Sequence, residues 1–249
     1  MLINAGELIK QSFSLYRENS QLFIRYMILL FIPTAIITIL GGLLEILVDA
    51  PSGLFTILYG IVGIASTLVA FWITLAFIRV VANAYAKKEG TPLRDQLNGA
   101  THLIWPAIWV SIISALAIIG GALLFIIPGI IFSIWFSFAL YSVILDEQKG
   151  IEALKHSKSL VKGRWWQVFW RLLVPGIFFT GVLLIAQWVI SFPLETLLDG
   201  MSPGTIKFTL VFSLLSLFTS LLSVIITPLT TAAPTILYME LKKVGINKK

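Results

Sequence analysis

The sequence predicts an all-α polytopic membrane protein, with six transmembrane helices arranged as three hairpins and amphipathic helices on the surface ahead of them. Three observations carry this prediction. Hydrophobic residues make up 58% of the 249 residues and charged residues 12%, about half of what a soluble surface needs. Apolar runs long enough to cross about 30 Å of hydrocarbon recur six times. Threading those runs with both termini on one side gathers every Lys and Arg except Lys207 on that side. Such a bias marks the cytoplasmic face, so the expected location is the plasma or inner membrane with both termini cytoplasmic.

The elements follow in order along one integral membrane domain, residues 1–249. The first twenty residues are mixed and amphipathic, unlike a cleaved signal peptide, and predict a surface helix over about 5–18. Spans are expected at about 23–46, 54–82, 103–127, 129–145, 166–190 and 208–231. The first outer turn is the segment 49–53, flanked by Glu45 and Asp49. Pro128-Gly129 is expected to form the second, because a residue that cannot continue a helix stands beside a permissive one. The third outer loop, about 192–207, carries Glu195, Asp199 and Lys207. A second amphipathic helix is expected over about 151–163. Arg25, Arg79 and Arg171 lie near inner span ends, within snorkelling reach of headgroups.

An internal repeat organises this plan. Glu7-Leu8-Ile9-Lys10-Gln11-Ser12-Phe13-Ser14-Leu15 and Glu152-Ala153-Leu154-Lys155-His156-Ser157-Lys158-Ser159-Leu160 share Glu, Lys, two Ser and Leu in register. Gln21, Phe23 and Arg25 then match Gln167, Phe169 and Arg171. Both copies precede a span entered from the same side, so the repeat is parallel. A weaker third copy lies at Leu93, Leu97, Ala100 and Ile104, for which chance similarity is the competing account. The hairpins also end alike, at Lys87-Lys88-Glu89-Gly90, Lys149-Gly150 and Lys242-Lys243-Val244-Gly245. In both amphipathic segments the apolar residues share one arc and the basic residues a separate stripe, the pattern of a helix lying in the interface plane.

Three stretches carry a resemblance. They are Ile127-Pro128-Gly129-Ile130-Ile131, Ala139-Leu140-Tyr141-Ser142-Val143-Ile144-Leu145-Asp146, and Gly150-Ile151-Glu152-Ala153-Leu154-Lys155-His156-Ser157. Together they resemble an uncharacterised prokaryotic membrane-protein superfamily, which includes YciC-like proteins and the membrane domain fused to some glycerophosphodiester phosphodiesterases. The resemblance covers about 127–172 and implies a six-span membrane domain with no assigned activity. The acidic and His clusters of a phosphodiesterase domain are missing, so that activity is not carried over.

Among candidate sites, the basic–aromatic cluster Lys155, Lys158, Lys162, Arg164, Trp165, Trp166, Trp170 and Arg171 fits contact with anionic lipid headgroups at the cytoplasmic face. Each basic side chain near such a surface contributes about 1 kcal/mol. The competing account is ordinary positive-inside charge with an aromatic belt. A transport path is poorly served, because no charged residue falls near the midplane of a span. The hydroxyls of Ser213, Ser216, Thr219 and Ser223 suit helix packing.

Catalysis has no visible machinery. Cysteine is absent, His102 and His156 are the two histidines, and no metal, phosphate-loop or nucleophile-elbow motif occurs. Asp146 and Glu147 are read as favouring the positive N-terminus of the helix that follows. The expectation is therefore a non-enzymatic, lipid-associated scaffold or accessory protein of envelope or lipid homeostasis. No cofactor, metal or nucleic acid is expected, and its partners are membrane lipids and other membrane proteins. The alternative is a transporter, channel or lipid-translocating protein.

Overall fold

The computed structural model describes residues 2–47, 53–88, 92–198, 200–202 and 205–246. Every regular element among them is helical, and six helices or helix pairs are long and apolar enough to cross a membrane. The chain is an all-α, multi-pass membrane protein. In order, the helices are α1 (Ala5–Glu18), α2 (Ser20–Leu47), α3 (Gly53–Tyr85), α4 (Leu93–Thr101), α5 (Ile104–Leu124), α6 (Ile126–Phe136), α7 (Ala139–Asp146), α8 (Gly150–Val161), α9 (Trp165–Leu198) and α10 (Ile206–Ile246). Three short helices, α1, α4 and α8, thus each precede a long apolar hairpin. Asp49 with the turn segment 49–52, Glu89-Gly90, Asp199, and Lys248 with Lys249 lie outside the described residues.

α1 starts where Asn4 accepts a hydrogen bond from the Glu7 amide at 2.7 Å, satisfying one of the free donors of a helix start. Its apolar arc packs against the protein itself and is not left free for lipid, which corrects the expectation of a helix resting on the interface by that face: Leu8, Ser12 and Leu15 are buried. In α8 the corresponding Ala153 and Ser157 are buried, together with Leu154 and Val161. In α4 the equivalent arc buries Ala100.

Two boundaries differ from expectation. The second outer turn is not Pro128-Gly129. The chain reverses three residues earlier, at Phe125, whose backbone is extended (φ −161°, ψ 152°) and caps α6. Pro128 sits in the first turn of α6, where an amide would have no helical partner anyway, so the ring is tolerated. Gly129 serves packing instead. A Cβ there would lie 2.8 Å from Cβ of Ala122, and one on Gly121 would lie 2.8 Å from the Phe132 ring. Small residues on both arms let α5 and α6 close tightly. The fourth span is also interrupted, by a turn at Ser137-Phe138 between α6 and α7.

The shared basic-Gly endings do not share a backbone conformation. Lys87 is itself left-handed (φ 52°), Gly150 is left-handed at the start of α8 (φ 52°), and Lys242-Lys243 lie inside α10. α10 runs through both Pro228 and Pro234.

The chain divides into two compact units. One comprises Met1–Asn19, Thr74–Ile177 and Leu229–Lys249, and holds α1, α4 to α8 and the adjoining ends of α3, α9 and α10. It contains most of the fully buried side chains, among them Leu75, Phe77, Phe138, Ile236, Tyr238 and Leu241. The other comprises Ser20–Ile73 and Phe178–Pro228. There Ile28, Ile32, Ile36, Ile39 and Leu43 form an exposed stripe at helical spacing along α2, as expected of a surface solvated by lipid. Glycines bring its helices together: a Cβ on Gly41 would lie 3.0 Å from the Tyr59 hydroxyl, and one on Gly42 2.5 Å from Oγ of Ser213.

Candidate functional site

The densest polar cluster lies in the first unit, where α7, α8 and the end of α10 converge. Asp146 closes α7 with its carboxylate only 10% exposed. Burying a carboxylate requires partners, and it has two on α10. The Tyr238 hydroxyl donates to Oδ2 at 2.5 Å, and the Lys242 ammonium pairs with Oδ1. His156 of α8 brings Nδ1 within 3.9 Å of the same Oδ2 and 3.0 Å of Oγ of Ser142. Ser142 is fully buried, donates to the Phe138 carbonyl at 3.0 Å, and has its Oγ 3.4 Å from the Tyr238 hydroxyl oxygen. Tyr141 stacks on Tyr238 with centroids 5.9 Å apart.

This arrangement corrects the expectation that Asp146 and Glu147 serve the N-terminus of the following helix. The N-cap of α8 is Lys149, with no side-chain cap. Asp146 instead faces back into the helix ends. Glu147 adopts a left-handed conformation (φ 53°), and its carboxylate lies 3.8 Å from Nε2 of His102.

Ser, His and Asp side chains meet here, but not as a nucleophilic relay. Such a relay needs the base to face the nucleophile with one nitrogen and the carboxylate with the other. Here Ser142 and Asp146 both face Nδ1, and Ser142 has no solvent exposure. Among the described residues, no group of three or more His, Asp or Glu side chains is placed to hold a metal ion.

Ser157 has a second structural task. From α8 it reaches the break in the fourth span, where its Oγ accepts from the Phe138 amide at 3.1 Å and donates to the Trp135 carbonyl at 2.6 Å. The interruption between α6 and α7 therefore leaves a buried amide and a part-buried carbonyl satisfied by one side chain.

The eight residues of the basic–aromatic cluster divide by environment. Lys155 pairs with Glu152 at 2.8 Å on an exposed helix face. Lys158 holds its ammonium 4.1 Å from the centre of the Trp135 ring, a cation–π contact that sets one charge beside an aromatic surface. Lys162, the C-cap of α8, is exposed, and Arg164 is half-buried just before α9. Trp165 stacks on Phe169 at 5.2 Å and donates to the Ile131 carbonyl at 3.4 Å, so it belongs to the packing. Trp166 and Trp170 are 66% and 53% exposed. Arg171 does not stand free for a headgroup, since it donates to the carbonyls of Leu2, Ile3 and Gln167 and ties the N-terminal segment to α9. Arg79 does the same for α4, donating to the Gly99 carbonyl. Two arginines read as headgroup-seeking thus fasten surface segments to span ends.

Five hydroxyls of α10 bond back onto their own helix. Thr219, Ser220, Ser223, Thr227 and Thr235 each donate to the carbonyl four residues earlier. Ser223 additionally accepts from the Gln187 side chain at 3.0 Å, joining α9 to α10. Groups committed in this way stabilise helix packing more readily than they line a water-filled path.

Comparison with known families gives an identity at the level of family. Residues 108–249 match the family described as the membrane domain of glycerophosphoryl diester phosphodiesterase. The chain belongs to that family. The match runs from within α5 to the C-terminus, so it takes in the α5–α6 hairpin, the Asp146 network and the basic–aromatic cluster. No curated protein and no solved structure matches the chain.

Proposed function

We propose that this protein is a non-enzymatic, lipid-associated scaffold or accessory protein of the cell envelope, whose basic surface contacts anionic headgroups of the cytoplasmic leaflet. In this reading it resides in the plasma or inner membrane with both termini cytoplasmic, and it works through lipids and membrane-protein partners. The observation that carries the reading is the corner between α8 and α9. There Lys158 beside Trp135, exposed Lys162, and exposed Trp166 and Trp170 present charge and indole rings together. Indole rings suit the glycerol level and ammonium groups the phosphate level just outside it. The family's association with a phosphodiesterase of glycerophosphoryl compounds supports a setting in lipid metabolism.

The chemical step is left out of this role because Ser142 is buried, Asp146 nearly so, and both are spent with His156 on structural bonds. The test uses the full-length protein in detergent. Added phosphatidylglycerol is expected to raise the melting temperature of the wild type, and phosphatidylcholine to raise it less. The triple variant Lys155→Glu, Lys158→Glu, Lys162→Glu is expected to lose the difference. Equal responses to the two lipids in the wild type, or a preference that survives charge reversal, refutes the proposal.

A further inference from the structure

We propose that the tip of the α5–α6 hairpin stays inside the outer leaflet, with Leu123 to Ile127 held among acyl chains and ester groups instead of projecting into water. Three observations converge. Between Ser114 and Ser133 no residue has a polar side chain, so this reversal lacks the Asp, Ser or Thr that the segments around 49–53 and 199–205 carry. The five residues at the tip, Leu123, Leu124, Phe125, Ile126 and Ile127, are 70–83% exposed. In water they would form a contiguous apolar patch of a kind soluble surfaces avoid.

Length gives the third observation. α5 has 21 residues, about 31 Å at 1.5 Å per residue, which matches the hydrocarbon thickness with nothing to spare. The arms of the flanking hairpins have 28, 33, 34 and 41 residues. Trp105 and Trp109, both exposed, mark the opposite, interfacial end of α5. Starting from that level, the helix ends near the outer hydrocarbon boundary.

The backbone allows this depth. A reversal among lipid must limit unpaired polar groups, each of which is costly in hydrocarbon. The Phe125 amide bonds the Gly121 carbonyl at 3.1 Å, the Gly129 amide bonds the Phe125 carbonyl at 3.4 Å, and Pro128 has no amide to satisfy. The remaining helix-end groups can find water at the ester level, which sets the depth at the upper edge of the acyl region. The occupant of this surface is therefore lipid. Its continuity with the exposed faces of α5 and α6, and the lack of any charge to orient a protein partner, favour that choice.

The chain has no cysteine, so Phe125→Cys can be spin-labelled without background in full-length protein reconstituted into phosphatidylcholine–phosphatidylglycerol vesicles. Oxygen concentrates in hydrocarbon and a nickel chelate in water. The label at 125 is expected to collide mainly with oxygen, whereas labels at Gly53→Cys and Ser202→Cys collide mainly with nickel. Nickel collision at 125 equal to that at the loops overturns the proposal. Low collision with both probes also overturns it, since that result means cover by protein, including a second copy. Leu123→Cys and Ile127→Cys repeat the measurement at neighbouring positions, so the outcome does not rest on one variant folding.

Discussion

Replacing Ser157 by Ala removes the side chain that hydrogen-bonds both sides of the break in the fourth span from α8. The Phe138 amide loses its acceptor and the Trp135 carbonyl its donor. Both lie against a residue with no solvent exposure. An orphaned buried polar group costs about 1–3 kcal/mol, and the part-buried Trp135 carbonyl adds less than the buried Phe138 amide, which together give about 2–4 kcal/mol. For a chain of this size that corresponds to a fall in melting temperature of about 4–16 °C. Ser12 is the control, because it occupies the same place in the repeat and is equally buried. Its hydroxyl donates to the Leu8 carbonyl of its own helix at 2.8 Å, and a helix interior satisfies that carbonyl without it. Ser12→Ala should therefore cost less than about 1 kcal/mol. Thermal unfolding of both variants in one detergent reads the contrast directly. Equal shifts, or a change at Ser157 below that at Ser12, would refute the bridging role.

Four further outcomes are expected. In a double-mutant cycle, Asp146→Asn and Lys242→Met should each destabilise, with a coupling of about 1–2 kcal/mol. This value is discounted because the lysine is partly exposed, and it is read by thermal melting. Gly129→Ala should cost about 1–3 kcal/mol in the same assay because its Cβ would meet Ala122, whereas Gly120→Ala, with no atom within 4 Å, should be neutral or mildly stabilising. Arg171→Gln should speed amide hydrogen exchange over residues 2–8, leaving exchange in α10 unchanged, because it releases the carbonyls of Leu2 and Ile3. Labelling with an impermeant thiol reagent should place Ser159→Cys and Gly53→Cys on opposite sides of the membrane. Ser159 is the suitable position because it is exposed, and Ser157 is not.

The helices were legible because lipid imposes a strict rule: a spanning segment must be apolar for about 20 residues and satisfy its own backbone. The amphipathic arcs of α1 and α8 were legible for a related reason, since Leu8, Ser12, Ala153 and Ser157 recur at helical spacing and are buried. The reversal at Phe125 was not. Pro128-Gly129 carries the strongest local turn signal, yet a proline in the first turn of a helix gives the same signal, and only the fit of Gly129 against Ala122 tells them apart. The Asp146 network was equally hidden. Tyr238 and Lys242 stand 92 and 96 residues away, and helical periodicity carries no information about which span ends meet. A carboxylate at the end of an apolar run beside a histidine-bearing helix was the available signal, and it pointed first to the nearer helix terminus.

The repeat changes meaning once the hydrogen bonds are known. Its shared positions, Ser12 and Ser157, are buried in both copies, so the repeat encodes how a surface helix packs. The copies then diverge in what the serine bonds: Ser12 closes on its own helix, while Ser157 leaves its helix to hold open a break in a neighbouring span. The divergence continues along that span, which has two short helices in place of one long one and a tip without the polar side chains that the segments 49–53 and 199–205 carry. Unrepeated features concentrated in the middle hairpin are hard to explain as packing alone, because the flanking hairpins show that longer, uninterrupted helices satisfy the fold. The middle hairpin and the α8 surface that grips it are therefore where the chain departs most from its repeat, and under the proposed lipid-associated role variants there should separate lipid response from folding better than variants anywhere in α2 or α3.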